Sequence, residues 1–306
     1  MYEHALTGFR ETEDKNSAAV TLGNMGNLQD SAGNLSDAKI TLQEALAAAR
    51  EVGNKDLEET DLINLADVLY SRGDAAAAED LLHQAEPILN ETGDKSDVAA
   101  ADLIWGEVLS GKGDLSGARA KYQEALNVSN QINAKQMAAT AGLGLADVAI
   151  EQEQAAYAES PCRQAIAEFQ AEKDTPDEII GHAILGRALL AMGRTADAQS
   201  EIDGAKSLVA SSQNLGARLR MAIVAAHIRS AMGGTAEAER VLQGTLAEAT
   251  KSGFFTYQLE ARFALGEIEI RSGKVAAGRT RLAAVEKDAT AKGFLLIARK
   301  AAKVAA

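Results

Sequence analysis

One cysteine, three prolines and twelve aromatic side chains are all that a chain of 306 residues carries of these types. The lone Cys162 leaves no intramolecular disulfide framework and no cysteine-based zinc cluster. So few prolines and aromatics, set against 62 alanines, argue against a sandwich or barrel of β-branched and aromatic strands and for an all-α chain. No stretch reaches the roughly 18 uninterrupted apolar residues of a membrane-spanning helix. The start, Met1-Tyr2-Glu3-His4, lacks the basic-then-apolar order of a secretion signal, so the expected location is the cytoplasm. Basic residues are also scarce, 31 against 44 acidic for a net charge of −13. Nucleic acid is therefore not the expected partner, because phosphate contacts require clustered Lys and Arg. The deficit is uneven: residues 1–200 sum to −19 and residues 201–306 to +6.

Motifs for chemistry are missing too. Gly111-Lys112-Gly113-Asp114 has no Gly-Lys-Ser/Thr ending, and Gly142-Leu143-Gly144-Leu145-Ala146 lies inside a helical pattern rather than after a strand. The four histidines, His4, His83, His182 and His227, are scattered singly, with no pair at metal-binding spacing. No catalytic residue, metal or cofactor is expected, and the chain reads as non-enzymatic.

What the chain does contain is a forty-residue period. Turn glycines stand at Gly33, Gly73, Gly113, Gly193, Gly233 and Gly273, with Glu153 filling the one gap. Five residues on come Ala38, Ala78, Ala118, Ala158, Ala198, Ala238 and Gly278, and seven residues before each turn come Gly26, Ala66, Gly106, Ala146, Gly186, Ala226 and Gly266. Between them, apolar residues recur at three and four, as in Leu62, Leu65, Ala66 and Leu69, then Ala78, Leu81, Leu82 and Ala85. Each unit therefore predicts a helix, a tight turn and a second, antiparallel helix, the small columns marking where the two cross at about 8–10 Å. Cys162 falls in a large-residue column with Leu42, Leu82 and Tyr122, and reads as core. The fourth unit departs most from the pattern, and its Pro161 is tolerable only in the first turn of a helix.

These columns resemble those of the tetratricopeptide repeat, in its 40-residue signalling variety, over nearly the whole chain. The resemblance implies a right-handed α–α superhelical solenoid of seven helix pairs, residues 19–58, 59–98, 99–138, 139–178, 179–218, 219–258 and 259–298, with a half-repeat over 1–18 and the end of a capping helix over 299–306. The ending Ala291-Lys292-Gly293-Phe294-Leu295-Leu296-Ile297-Ala298-Arg299-Lys300 is similar to repeat regions attached to bacterial serine/threonine kinases or winged-helix transcriptional regulators. It implies a binding scaffold, the regulatory or sensor part of a larger signalling protein, with an upstream domain expected in cis. Tyr2, Leu6 and Phe9 would offer a second route, homo-oligomerisation through an exposed solenoid end.

In such a solenoid the first helices line the concave side, and the residue after each small one of the third column points into it. That column reads Asn27, Asp67, Glu107, Asp147, Arg187, His227 and Glu267, with no apolar member. Beside it run Gly23, Ile63, Leu103, Leu143, Ala183, Ile223, Phe263 and Asp30, Tyr70, Ser110, Ile150, Leu190, Ser230, Ile270. A row of charges over apolar side chains suits a peptide or partner helix, the charges fixing its register. Asn27, Asp67, Tyr70, Leu103, Glu107, Leu143, Asp147, Arg187, His227, Phe263 and Glu267 are the expected groove. Asp67, Glu107 and Asp147 call for Lys or Arg beside apolar anchors on the partner, while Arg187 and His227 would receive an acidic group or a terminal carboxylate.

Overall fold

A computed structural model describes residues 2–306, and among them there is no strand. After the short α1 (Tyr2–Glu11) the chain runs as helix pairs: α2 (Lys15–Ser31) with α3 (Leu35–Val52), α4 (Lys55–Ser71) with α5 (Ala75–Thr92), and α6 (Lys95–Lys112) with α7 (Leu115–Gln131). Next come α8 (Lys135–Glu151) with α9 (Glu159–Glu172), α10 (Thr175–Ala191) with the divided α11 (Thr195–Gly204) and α12 (Lys206–Ser211), and α13 (Leu215–Ala231) with α14 (Thr235–Ser252). The pair α15 (Phe255–Arg271) and α16 (Val275–Ala291) and the unpaired α17 (Leu295–Ala305) complete it. First helices begin at 15, 55, 95, 135, 175, 215, 255 and 295, in steps of 40, four residues ahead of the frame drawn through the sequence columns. No helix is long and apolar enough to cross a membrane.

Local chemistry sets these boundaries. Asp14, Asn54, Asp74, Asp94, Asp114, Asp174 and Asn214 each accept a hydrogen bond from a backbone N–H in the first turn of the following helix. The turn glycines take positive φ, and at the gap in their column Glu153 does the same at φ 61°. In the fourth unit a 3₁₀ turn, Ala155–Ala158, precedes α9, which puts Pro161 in that helix's first turn. The break between α11 and α12 at Gly204–Ala205 has no counterpart in the other units.

The small columns sit at helix crossings. A Cβ on Gly26 would lie 2.5 Å from Leu42 Cγ, one on Gly106 2.6 Å from the Tyr122 ring, and one on Gly266 2.6 Å from Leu282 Cγ. Cys162 is wholly buried, packed with Phe169, Ile179 and Leu185 in the central core. At the N-terminal end Leu6 is buried against Ala18, Leu22 and Ala45 and Phe9 packs on the same cluster, leaving only Tyr2 of the expected oligomerisation face well exposed.

Successive units rotate enough that the superhelix meets itself. The turn glycines Gly33 and Gly73 abut Leu215 and Phe255, 182 residues further on in each case, and Gly113 abuts Arg299. These three contacts form a seam between the first and second turns of the superhelix, and its rungs join α2–α3 to α13, α4 to α15 and α6 to α17. Inside the seam the first helices face one another, Arg220 of α13 reaching Asp147 of α8 and Lys300 of α17 reaching Glu151; the space they line is the lumen.

Candidate peptide-binding lumen

The polar column on the first helices converges in this lumen, and half of it is already paired. Arg187 Nη2 lies 3.2 Å from Asp147 Oδ1 and 3.4 Å from Glu151 Oε1. Arg220 Nη1 donates to Asp147 Oδ2 at 3.0 Å, and Lys300 Nζ reaches Glu151 at 3.0 Å while lying 5.6 Å from the centre of the Phe263 ring. His227 Nδ1 is 3.8 Å from Glu267, which Arg271 also approaches at 3.5 Å. Burial raises the pKa of Asp147, but Arg187 and Arg220 outweigh it and hold the carboxyl below its usual value. Burial, then the charges of Arg271, Lys300 and Arg187, push His227 down to about 4, so it is neutral near pH 7.

The other half is uncompensated. Among the described residues no basic side chain forms an ion pair with Asp30, Asp67 or Glu107. Asp30 is raised to about 7 by burial and by the neighbouring Asp67, and Asp67 to about 6 by burial. Glu107 is open to the water of the lumen yet ringed by protein, and that enclosure, with the Asp67 carboxylate, raises its pKa as well. Arg220 pulls on Glu107 through space but is bonded to Asp147.

Two expectations change as a result. Asp147 does not extend the acidic row, because Arg187 and Arg220 neutralise it; conversely, Arg187 is not free for a partner's carboxylate and His227 carries no charge to offer one. The apolar flank is also less open than the columns imply. Leu143 is 3% and Phe263 8% exposed, Leu103 packs beside Ala118 and Tyr122, and Tyr70 meets Phe294 with ring centres 5.2 Å apart and planes tilted by 39°. These side chains build the wall and leave few pockets in it. Asn27 is exposed and lies outside the charge network.

Three participants lie outside the column read from the sequence: Arg220, Glu260 and Lys300. They share one column, seven residues before the Asn27 column, which reads Val20, Thr60, Ala100, Thr140, Ile180, Arg220, Glu260, Lys300. Seven residues is two helical turns, so both columns share a face. The signal was that this column turns charged only in its last three members.

No family model matches the sequence, and no curated protein matches it. Solved structures do share the fold. The Rap conjugation gene regulator of plasmid pLS20, solved with a Phr peptide, superposes with a TM-score of 0.73 at 14% identity, covering 96% of this chain and 76% of its own. A Rap protein complexed with competence and sporulation factor gives 0.62 at 14%, covering 90% and 77%. NprR in complex with its cognate peptide NprX gives 0.60 at 10%, covering 90% and 81%. The chain has the fold of these tetratricopeptide-type helical solenoids.

Proposed function

We propose that the chain is a non-enzymatic scaffold whose lumen holds a peptide segment or partner helix, as the regulatory part of a signalling system. The observation that carries this reading is the division of the lumen's charge. Arg187, Arg220 and Lys300 satisfy Asp147 and Glu151 of the fourth unit, whereas Asp67 and Glu107 face the same space with no ion pair of their own. An unpaired carboxylate enclosed by protein is costly and a cation brought by a ligand relieves that cost, so the partner presents Lys or Arg at Asp67 and Glu107. That solenoids of this fold have been solved holding peptides supports the same reading.

The test is fluorescence anisotropy with labelled nonapeptides that alternate Leu with either Lys or Glu. The Lys series should bind at low salt, weaken as salt screens the charges, and be lost on Asp67→Lys/Glu107→Lys, whereas Asp147→Asn should matter less because that acid is already engaged. Equal binding of both series, or no effect of the double reversal, would remove the lumen from consideration.

A further inference from the structure

The three rungs of the seam differ in chemistry. At the first, Leu35 is wholly buried in a cluster with Leu215, Leu219 and Phe254. At the second, Phe294 sits between Tyr70 and Phe255, ring centres 5.2 and 5.9 Å away, with Ala75 in the same cluster. The third is polar. Arg299 Nη2 donates to the Gly113 carbonyl at 3.1 Å from an exposed position, and Lys300, whose side chain is 42% exposed, holds Glu151. Apolar burial resists separation in proportion to the area removed from water, while half-exposed ion pairs contribute little and are screened by salt. The seam is therefore firm at one end and weak at the other.

Besides its third-rung contacts, helix α17 packs mainly on α15 and α16.

We propose that the third rung is a lateral gate to the lumen: α17 parts from α6 and α8, pivoting on the first rung, with Phe294, Arg299 and Lys300 as the latch. Opening withdraws Lys300 from Glu151 and exposes Glu107 and Asp67 from the side, so the lumen becomes both accessible and more acidic in one movement. The gate is a property of the chain alone; its use in loading a partner rests on the peptide-binding reading above.

A thiol placed in the lumen reports the gate without any partner. In Glu107→Cys the only other thiol is Cys162, wholly buried, which serves as an unfolding sensor. Two reagents are compared, iodoacetamide and a maleimide carrying a polyethylene glycol of several kilodaltons. Adding Phe294→Ala/Lys300→Ala should speed the bulky reagent about tenfold while iodoacetamide changes little and Cys162 stays unlabelled, as local opening requires. Should Cys162 react, the decision passes to Lys300→Ala alone and to the unlatched effect of about 1 M salt, where charges are screened beyond roughly 3 Å; both should speed the bulky reagent, and salt should add little once Lys300 is gone. Bulky labelling that stays constant across the latch variants and salt overturns the gate and leaves peptide binding untouched, whereas failure of the nonapeptides to bind leaves the gate untouched.

Discussion

Asp61 puts a carboxyl between α2 and α4 with 3% of its surface exposed and no hydrogen-bond partner for Oδ2. Gly23 makes room for it, since a Cβ there would come within 2.9 Å of Asp61 Oδ1. Burial raises its pKa from the ordinary 3.8 to about 7. The folded chain thus keeps a proton that the unfolded chain gives up above pH 4. Stability from this group is full below the unfolded value, falls as pH rises between the two, and is gone above about 7, a loss on the order of 2–4 kcal/mol. Asp61→Asn should flatten that part of the pH–stability curve and raise the denaturation midpoint at pH 8. An unchanged slope in urea titrations from pH 4 to 8 would show that Asp61 is hydrated. The neighbouring Glu59 is also wholly buried and raised by burial, yet it accepts a hydrogen bond from Thr92, which makes Asp61 the better choice for the experiment.

Among the elements, the turns separate two uses of glycine. Gly193 has φ 74° and open space where a Cβ would go, whereas Gly73, at φ 84°, has the Phe255 ring there. Alanine at 193 should cost only the left-handed backbone penalty of about 1–2 kcal/mol. Gly73→Ala should cost that and about 1–3 kcal/mol more, for displacing an aromatic ring in a packed contact. Equal shifts in the denaturation midpoint would mean that the second rung is not packed in solution. The turns themselves were legible in the sequence because glycine and a small column on either side recur at fixed offsets, with Asp74 and Asp114 capping the second helix in two of the units. The break in the fifth unit was not: Gly204 stands in a sequence, Asp203-Gly204-Ala205-Lys206, that a helix tolerates at modest cost. Likewise, the column of charges on first helices showed which residues share a face, but not that Arg220 would cross 73 residues to bond Asp147. Periodicity reports the direction of a side chain within its own helix. It says nothing of how far each unit rotates on the last, and it is the sum of those small rotations that decides which charges meet across the lumen.

For the whole molecule that sum gives the charge asymmetry a use in cis. The acidic first turn lies over the more basic second, and the pairs Arg220–Asp147 and Lys300–Glu151 run from the basic region to the acidic one. A simple solenoid is stabilised only by nearest neighbours and can fray unit by unit. Here the first two rungs tie early units to ones 182 residues later and the third joins α6 to α17, so units one to three cannot unfold without uncovering Leu215, Phe255 and Phe294, nor the last units without uncovering Leu35 and Tyr70. Unfolding should accordingly be one cooperative event. Trp105, the sole tryptophan, is 7% exposed in α6 of the third unit, and its fluorescence should trace the same thermal curve as helical circular dichroism. Leu215→Ala/Phe255→Ala removes the first two rungs at about 2–5 kcal/mol per large-to-small change. It should split that coincidence, with helix lost from the later units while Trp105 still reports a folded third unit. Two separate midpoints in the unmodified chain would mean that the turns do not hold each other, and the seam would then be a contact without energetic weight.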